Sequence, residues 1–87
     1  MRRHYYFSGR VQAVGFRYTA YRTANRMGLT GWVENLEDGR VEMEVQGQAG
    51  TIDLFLQQLQ TGGRILIEEM EQEERPLCTE NDFWVRG

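Results

Sequence analysis

The residues from Gly9 to Arg17 separate a strand pattern from a helix pattern, and they include two glycines but no acidic side chain. A loop at such a junction turns backbone N–H groups and the positive end of a helix dipole towards one point. Arg17 closes the loop with a permanently charged, planar guanidinium that can bind two oxygens at once. The stretch therefore predicts a site for a phosphate or another small dianion at the start of the first helix.

Two features bear on this interpretation. The glycines are one residue further apart than in a Walker A loop, and Phe16-Arg17 stands where Lys-Ser/Thr is required, so a Walker-type nucleotide site is not predicted. An arginine beside a helix N-terminus is unfavourable unless an anion lies between them. Taken alone, the stretch is also compatible with an ordinary loop in which Arg17 faces solvent.

The patterns on either side of the loop predict a strand and a helix. Apolar and polar residues alternate over residues 4–10, which predicts a strand with Tyr5 and Phe7 on one face. Apolar residues recur at helical spacing over residues 17–27, and Gly28 follows where a left-handed C-cap is expected.

A β-hairpin follows the first helix. Residues 29–35 read as a second strand, and Asp38-Gly39 is a strong hairpin-turn signal. Apolar residues then alternate with polar ones over residues 41–46, which predicts a third strand with one face in water.

The last third of the chain predicts one more helix and two more strands. Thr51 is expected to cap a helix whose apolar residues fall on one face, and Gly62-Gly63 to end it. These apolar residues are Ile52, Phe55, Leu56 and Leu59. Residues 65–72 predict a fourth strand that Pro76 breaks, and residues 83–86 a short edge strand at the C-terminus.

The element order β-α-β-β-α-β predicts the α+β ferredoxin-like fold, in which two helices lie on one face of an antiparallel sheet. In this topology the strand after the first helix lies near the first strand, so its end approaches the loop. Asn35 stands at that end. Asparagine before Asp-Gly is also a common turn residue, so both a site role and a turn role are open for Asn35.

Length and composition limit the class of protein. The 87 residues are enough for a single domain over residues 1–87. No segment approaches the roughly 18 apolar residues of a membrane span. The only cysteine, Cys78, is expected to be partly buried, and a single cysteine cannot form an internal disulfide. The net charge of −3 argues against non-specific nucleic-acid binding. We therefore expect a cytoplasmic protein.

Two sequence blocks carry a family resemblance: GRVQAVGFR at residues 9–17 and GLTGWVENLEDGRV at residues 28–41. Together they are similar to the acylphosphatase family, and the length and element order agree with it. The resemblance implies hydrolysis of acyl phosphates, the anhydrides of a carboxylic acid and phosphate, with no metal and no cofactor. It implies that Arg17 binds the phosphoryl group and that Asn35 orients the attacking water. The implied substrate-binding loop residues are Gln12, Ala13, Val14, Gly15 and Phe16.

One loop residue departs from the family pattern. Ala13 stands where the family usually has glycine. If that position requires a positive φ, alanine costs of order 1 kcal/mol and distorts the loop. The alternative function is therefore a non-catalytic module of the same family that binds an anion or a protein.

The expected partners follow from the same arguments. We expect a monomer that binds a small-molecule acyl phosphate, with no nucleic acid and no membrane. RNA-recognition domains share the topology, but Glu42 and Glu44 on the third strand and the absence of an RNP-type string argue against RNA binding.

Overall fold

The computed structural model describes residues 1–61 and 63–87. Five strands and two helices follow one another in the predicted order. They are β1 (Arg2–Arg10), α1 (Phe16–Arg26), β2 (Thr30–Asn35), β3 (Val41–Gln46), α2 (Ala49–Gln60), β4 (Leu66–Arg75) and β5 (Phe83–Val85).

The strands form one sheet in the order β4-β1-β3-β2-β5. The four strands of the β-α-β-β-α-β motif are antiparallel to their neighbours. The short C-terminal strand β5 adds to the free edge of β2 in parallel, so the sheet as a whole is mixed. The predicted α+β ferredoxin-like fold is confirmed, and the antiparallel arrangement holds for its four motif strands.

Both helices pack on the same face of the sheet, as predicted. Tyr5 and Phe7 of β1 are fully buried and belong to one core cluster with residues of both helices. From α1 and α2 this cluster takes Phe16, Ala20, Ala24, Ile52, Phe55, Leu56 and Leu59. The apolar alternation in the strands and the helical stripe of α2 therefore identified the core correctly.

The other face of the sheet is covered mainly by paired polar side chains. Arg2 is buried, and its Nε donates a 2.6 Å hydrogen bond to Glu44, while Nη1 binds Glu80. Burial works to lower the pKa of the Arg2 guanidinium, but the hydrogen bonds to Glu80 and Glu44 outweigh it and raise that pKa. His4 is also buried, and its Nε2 lies 2.7 Å from Glu42. The predicted wet face of β3 is therefore mostly covered, with Glu42 and Glu44 less than one fifth exposed.

Three local predictions in the second half of the chain need correction or comment. Thr51 does not cap α2, because the hydrogen-bond ladder already begins with the Ile52 N–H donating to the Gln48 carbonyl oxygen at 3.0 Å. Cys78 is exposed rather than partly buried. The prediction that Gly62-Gly63 ends α2 falls partly on Gly62, which lies outside the described residues.

Strand β4 is longer than predicted because it pairs with β1 over the whole glutamate run, whose side chains are exposed. Neither helix in the described part of the chain combines the length and the apolar character needed to cross a membrane.

Candidate active site

A cavity of about 350 Å³ opens where the β1–α1 loop, the first turn of α1 and the end of β2 meet. Arg17 and Asn35 both line it, so the fold brings the two sequence-predicted catalytic residues to one place. The remaining lining residues are Val11, Ala13, Gly15, Phe16, Tyr18 and Val85. Three of the five predicted substrate-binding residues, Ala13, Gly15 and Phe16, therefore face the cavity.

The loop contains two left-handed residues of the kind from which anion-binding nests are built. Ala13 and Gly15 have φ angles of 59° and 82°, both in the left-handed region, and α1 begins directly afterwards. Alternation of left-handed and ordinary backbone points successive N–H groups into one concavity. Among residues 1–61 and 63–87, no acceptor partners the backbone N–H groups of residues 12–17. These donors are therefore available to a ligand, as at other helix N-termini.

The other two predicted loop residues use their side chains differently. The side-chain amide of Gln12 donates hydrogen bonds to the carbonyl oxygens of Leu36 and Arg40, at 2.7 Å and 2.9 Å. This bridge ties the loop to the β2–β3 turn, just beyond Asn35. Val14 packs against the hydrophobic core. The two side chains thus hold the loop in place and do not line the cavity.

Arg17 is held by the C-terminal residues, which the sequence analysis did not connect with the site. Its Nη1 donates a 2.6 Å hydrogen bond to the carbonyl oxygen of Gly87, and the backbone N–H of Asn35 donates to the same oxygen at 3.2 Å. Val85 lines the cavity next to them. The strand pattern at residues 83–86 predicted an edge strand, but no local signal says that it pairs with β2 and ends beside the loop.

Asn35 presents a free acceptor. Its Oδ1 is buried and has no hydrogen-bond partner in the described part of the chain. Buried polar atoms in native proteins are normally paired, so an unpaired one in a cavity marks a position where a donor binds. A water molecule or a substrate group is the natural donor for this oxygen.

The electrostatics of the cavity favour an anion. The lining residues include the Arg17 guanidinium but no carboxylate. No Asp or Glu side chain pairs with Arg17 within the residues that the structure describes. Its positive charge and the positive end of the α1 dipole therefore act on the same small volume.

The fold and the cavity define a ferredoxin-like α+β domain with a cationic site at a strand–loop–helix junction. Comparison of the sequence with known proteins identifies the family of this domain. A profile of the acylphosphatase family matches residues 3–85, and the chain belongs to that family. The predicted family is confirmed, and the function that comes with it is the hydrolysis of acyl phosphates. A non-catalytic module is not favoured.

Individual relatives agree with the family match. The acylphosphatase of Geobacillus kaustophilus (strain HTA426) is 51% identical over 59 residues, which are 68% of this chain and 63% of that protein. The match thus spans just under two thirds of that relative. The acylphosphatase of Geobacillus thermodenitrificans (strain NG80-2) is 44% identical over 85% of this chain and 80% of its own. The crystal structure of acylphosphatase from Bacillus subtilis superimposes with a TM-score of 0.89 at 30% identity, covering 99% of this chain and 98% of that one.

Proposed function

We propose that Arg17 and the β1–α1 loop hold the phosphoryl group of an acyl phosphate and that Asn35 orients the water that attacks it. The products are a carboxylate and inorganic phosphate. The observation that carries this proposal is that the Arg17 side chain and the Asn35 amide line the same cavity.

Binding of the phosphoryl group rests on charge and on backbone donors. The dianion accepts hydrogen bonds from the N–H groups of residues 12–17 and from the guanidinium of Arg17. Because charge on the equatorial oxygens changes during phosphoryl transfer, fixed donors around them stabilise the transition state without reorganising. The bridge from Gln12 to the β2–β3 turn keeps the loop donors and Asn35 at a constant separation.

Positioning of water falls to Asn35. A water O–H donates to the unpaired Oδ1, which places the water oxygen next to the phosphoryl group and opposite the leaving group. An amide is a poor base, so Asn35 acts by orientation. The water oxygen forms a bond to phosphorus, the bond from phosphorus to the carboxylate oxygen breaks, and the released proton passes to a phosphate oxygen.

The chemistry of the leaving group explains why so few groups suffice. Alkoxide leaving groups of ordinary phosphate esters need a proton or a metal ion. A carboxylate leaves with the bonding electron pair and needs no proton, since carboxylic acids have pKa values near 4. Holding the dianion and placing water in line are then the remaining tasks.

Hydrolysis of benzoyl phosphate, with inorganic phosphate as a competitive inhibitor, separates the two roles. Arg17→Ala is expected to lose both turnover and inhibition by phosphate. Asn35→Ala is expected to lose at least about a hundredfold in kcat, a loss typical of removing one polar group that acts in the transition state. It should bind phosphate as the unchanged chain does. Arg26→Ala and Asn81→Ala, exposed positions away from the cavity, are the matched controls.

Loss of phosphate inhibition in Asn35→Ala would show that the division of roles is wrong. Full activity of Arg17→Ala would show that the phosphoryl group binds elsewhere.

The proposal extends to where the protein acts and how many chains form the site. A cytoplasmic location is supported by the single cysteine, because extracellular domains of this size commonly depend on disulfides. We also propose that the protein acts as a monomer. Light scattering at assay concentration tests the monomer directly.

A further inference from the structure

The cavity is larger than a phosphoryl group requires, and its lining is partly polar and partly apolar. Its volume of about 350 Å³ lies within the range of small-molecule sites, which is about 300–1,000 Å³. Arg17, Asn35 and the loop backbone are the polar part of the lining. The apolar lining residues are Val11, Phe16, Tyr18 and Val85. The polar part accounts for the phosphate of the substrate and leaves the apolar part without a partner.

Two of these apolar residues are exposed. Val11 and Phe16 are each 1% exposed and belong to the core, so they form the floor of the cavity. Tyr18 is 62% exposed and Val85 42%. They come from different elements, the first turn of α1 and strand β5, yet they line one cavity. Packing of the core does not require an exposed aromatic ring at this place, whereas an apolar ligand group would gain from covering it.

The Tyr18 ring has a partner that restricts its orientation. The guanidinium carbon of Arg22, one turn further along α1, lies 5.4 Å from the ring centroid. Such a cation–π contact favours a ring held flat against the cation. The ring is thus a planar group in the lining of the cavity, and planar ligand groups pack well on such a ring.

We propose that Tyr18 and Val85 form the subsite for the acyl group and that the subsite favours aromatic acyl phosphates over acetyl phosphate. This assignment rests on the proposed function, since it takes Arg17 and the loop as the phosphate end. With the phosphoryl group there, the acyl group lies against the tyrosine ring and the valine. An aromatic ring covers both side chains, whereas a methyl group reaches little of this surface.

Values of kcat/KM for benzoyl phosphate and acetyl phosphate test the subsite. Tyr18→Ala is expected to lower the benzoyl-to-acetyl ratio about fivefold to tenfold, in keeping with the loss of one aromatic contact, mainly by raising KM for benzoyl phosphate. Val85→Ala should change the ratio in the same direction, and Tyr18→Phe, which keeps the ring, should keep the preference. Inhibition by inorganic phosphate should stay constant throughout. Tyr21→Ala is the control, because Tyr21 is an exposed tyrosine of α1 that does not line the cavity.

The outcomes separate failure of the subsite from failure of the function. If Tyr18→Ala and Val85→Ala leave the ratio unchanged, or lower both substrates equally, the subsite assignment is wrong while hydrolysis by Arg17 and Asn35 stands. If the unchanged chain hydrolyses neither substrate, the proposed function fails and the subsite with it.

Discussion

The side chain of Arg17 is hydrogen-bonded to the backbone of Gly87, with Nη1 donating to the carbonyl oxygen at 2.6 Å. That oxygen also accepts from the backbone N–H of Asn35. A single carbonyl group thus contacts both residues to which the proposed mechanism assigns a role. The parallel pairing of β5 with β2 is what brings this carbonyl to the site.

Removal of Gly87 should therefore impair the site without unfolding the chain. In a variant without Gly87, Arg17 loses its acceptor, and we expect phosphate to inhibit at least about tenfold more weakly, since hydrogen bonds to charged groups are worth about 1.5–3 kcal/mol. The melting temperature should change little. Gly87→Ala keeps the main-chain acceptor and is the control, because the added Cβ would lie 3.4 Å from the Glu34 side chain, an ordinary contact. Unchanged inhibition in the shortened variant would show that Gly87 does not position Arg17.

Ala13→Gly should stabilise the protein. Ala13 has a φ of 59°, a conformation that costs an L-residue about 1–2 kcal/mol and glycine nothing. Part of the gain is offset because glycine has more freedom in the unfolded chain. We expect the free energy of unfolding, measured in urea, to rise by about 0.5–1 kcal/mol. Ala13→Val, which is β-branched, should lower it. A loss of stability in Ala13→Gly would mean that the alanine conformation is not strained.

Gly31→Ala should be strongly destabilising. Gly31 has a φ of 142°, and a Cβ at this position would lie 2.0 Å from the carbonyl oxygen of Glu44 on the neighbouring strand. Because the clash is with backbone, β2 and β3 must separate, and we expect a loss of about 1–3 kcal/mol or failure to fold. Gly50→Ala is the matched control in α2, where no atom beyond its chain neighbours and its own helix backbone lies within 4 Å of the added Cβ. A stable Gly31→Ala variant in urea unfolding would show that the strands can adjust.

Stability should fall at alkaline pH because of Tyr5. Tyr5 is fully buried, and burial raises the pKa of its hydroxyl above the ordinary value near 10, although the hydrogen bond from Arg3 opposes this shift. The neutral phenol therefore contributes stability that is fully present below pH 10 and is lost as the pH rises through the folded-state pKa. In urea titrations, the unchanged chain should lose stability relative to Tyr5→Phe above pH 10. Tyr21→Phe, at an exposed ring, serves as control. Parallel pH profiles for the unchanged chain and Tyr5→Phe would contradict this assignment.

Local patterns in the sequence determined the elements and much of the core. Alternation placed Tyr5 and Phe7 on the buried face of the first strand, and helical spacing identified the buried face of α2. Asp38-Gly39 predicted the hairpin turn. These predictions succeeded because side-chain periodicity and turn chemistry are local properties. The element order then gave the fold. The prediction that Thr51 caps α2 was wrong, because the Ile52 N–H donates to the Gln48 carbonyl oxygen and the helix begins before Thr51. Only the folded backbone shows this hydrogen bond.

The same distinction between local pattern and tertiary contact holds for the site. The sequence by itself identified the loop, Arg17 and Asn35 as candidate site residues, since a strand–loop–helix junction and an amide at a strand end are local features of the sequence. It did not determine that Gly87 binds Arg17, that Gln12 is hydrogen-bonded to the β2–β3 turn, or that Tyr18 and Val85 line one cavity. Those contacts join residues far apart along the chain. The contacts of Gly87 and Val85 exist because β5 pairs with β2 beside the loop, and the Gln12 bridge exists because the β1–α1 loop meets the β2–β3 turn. Packing across the whole sheet decides both arrangements.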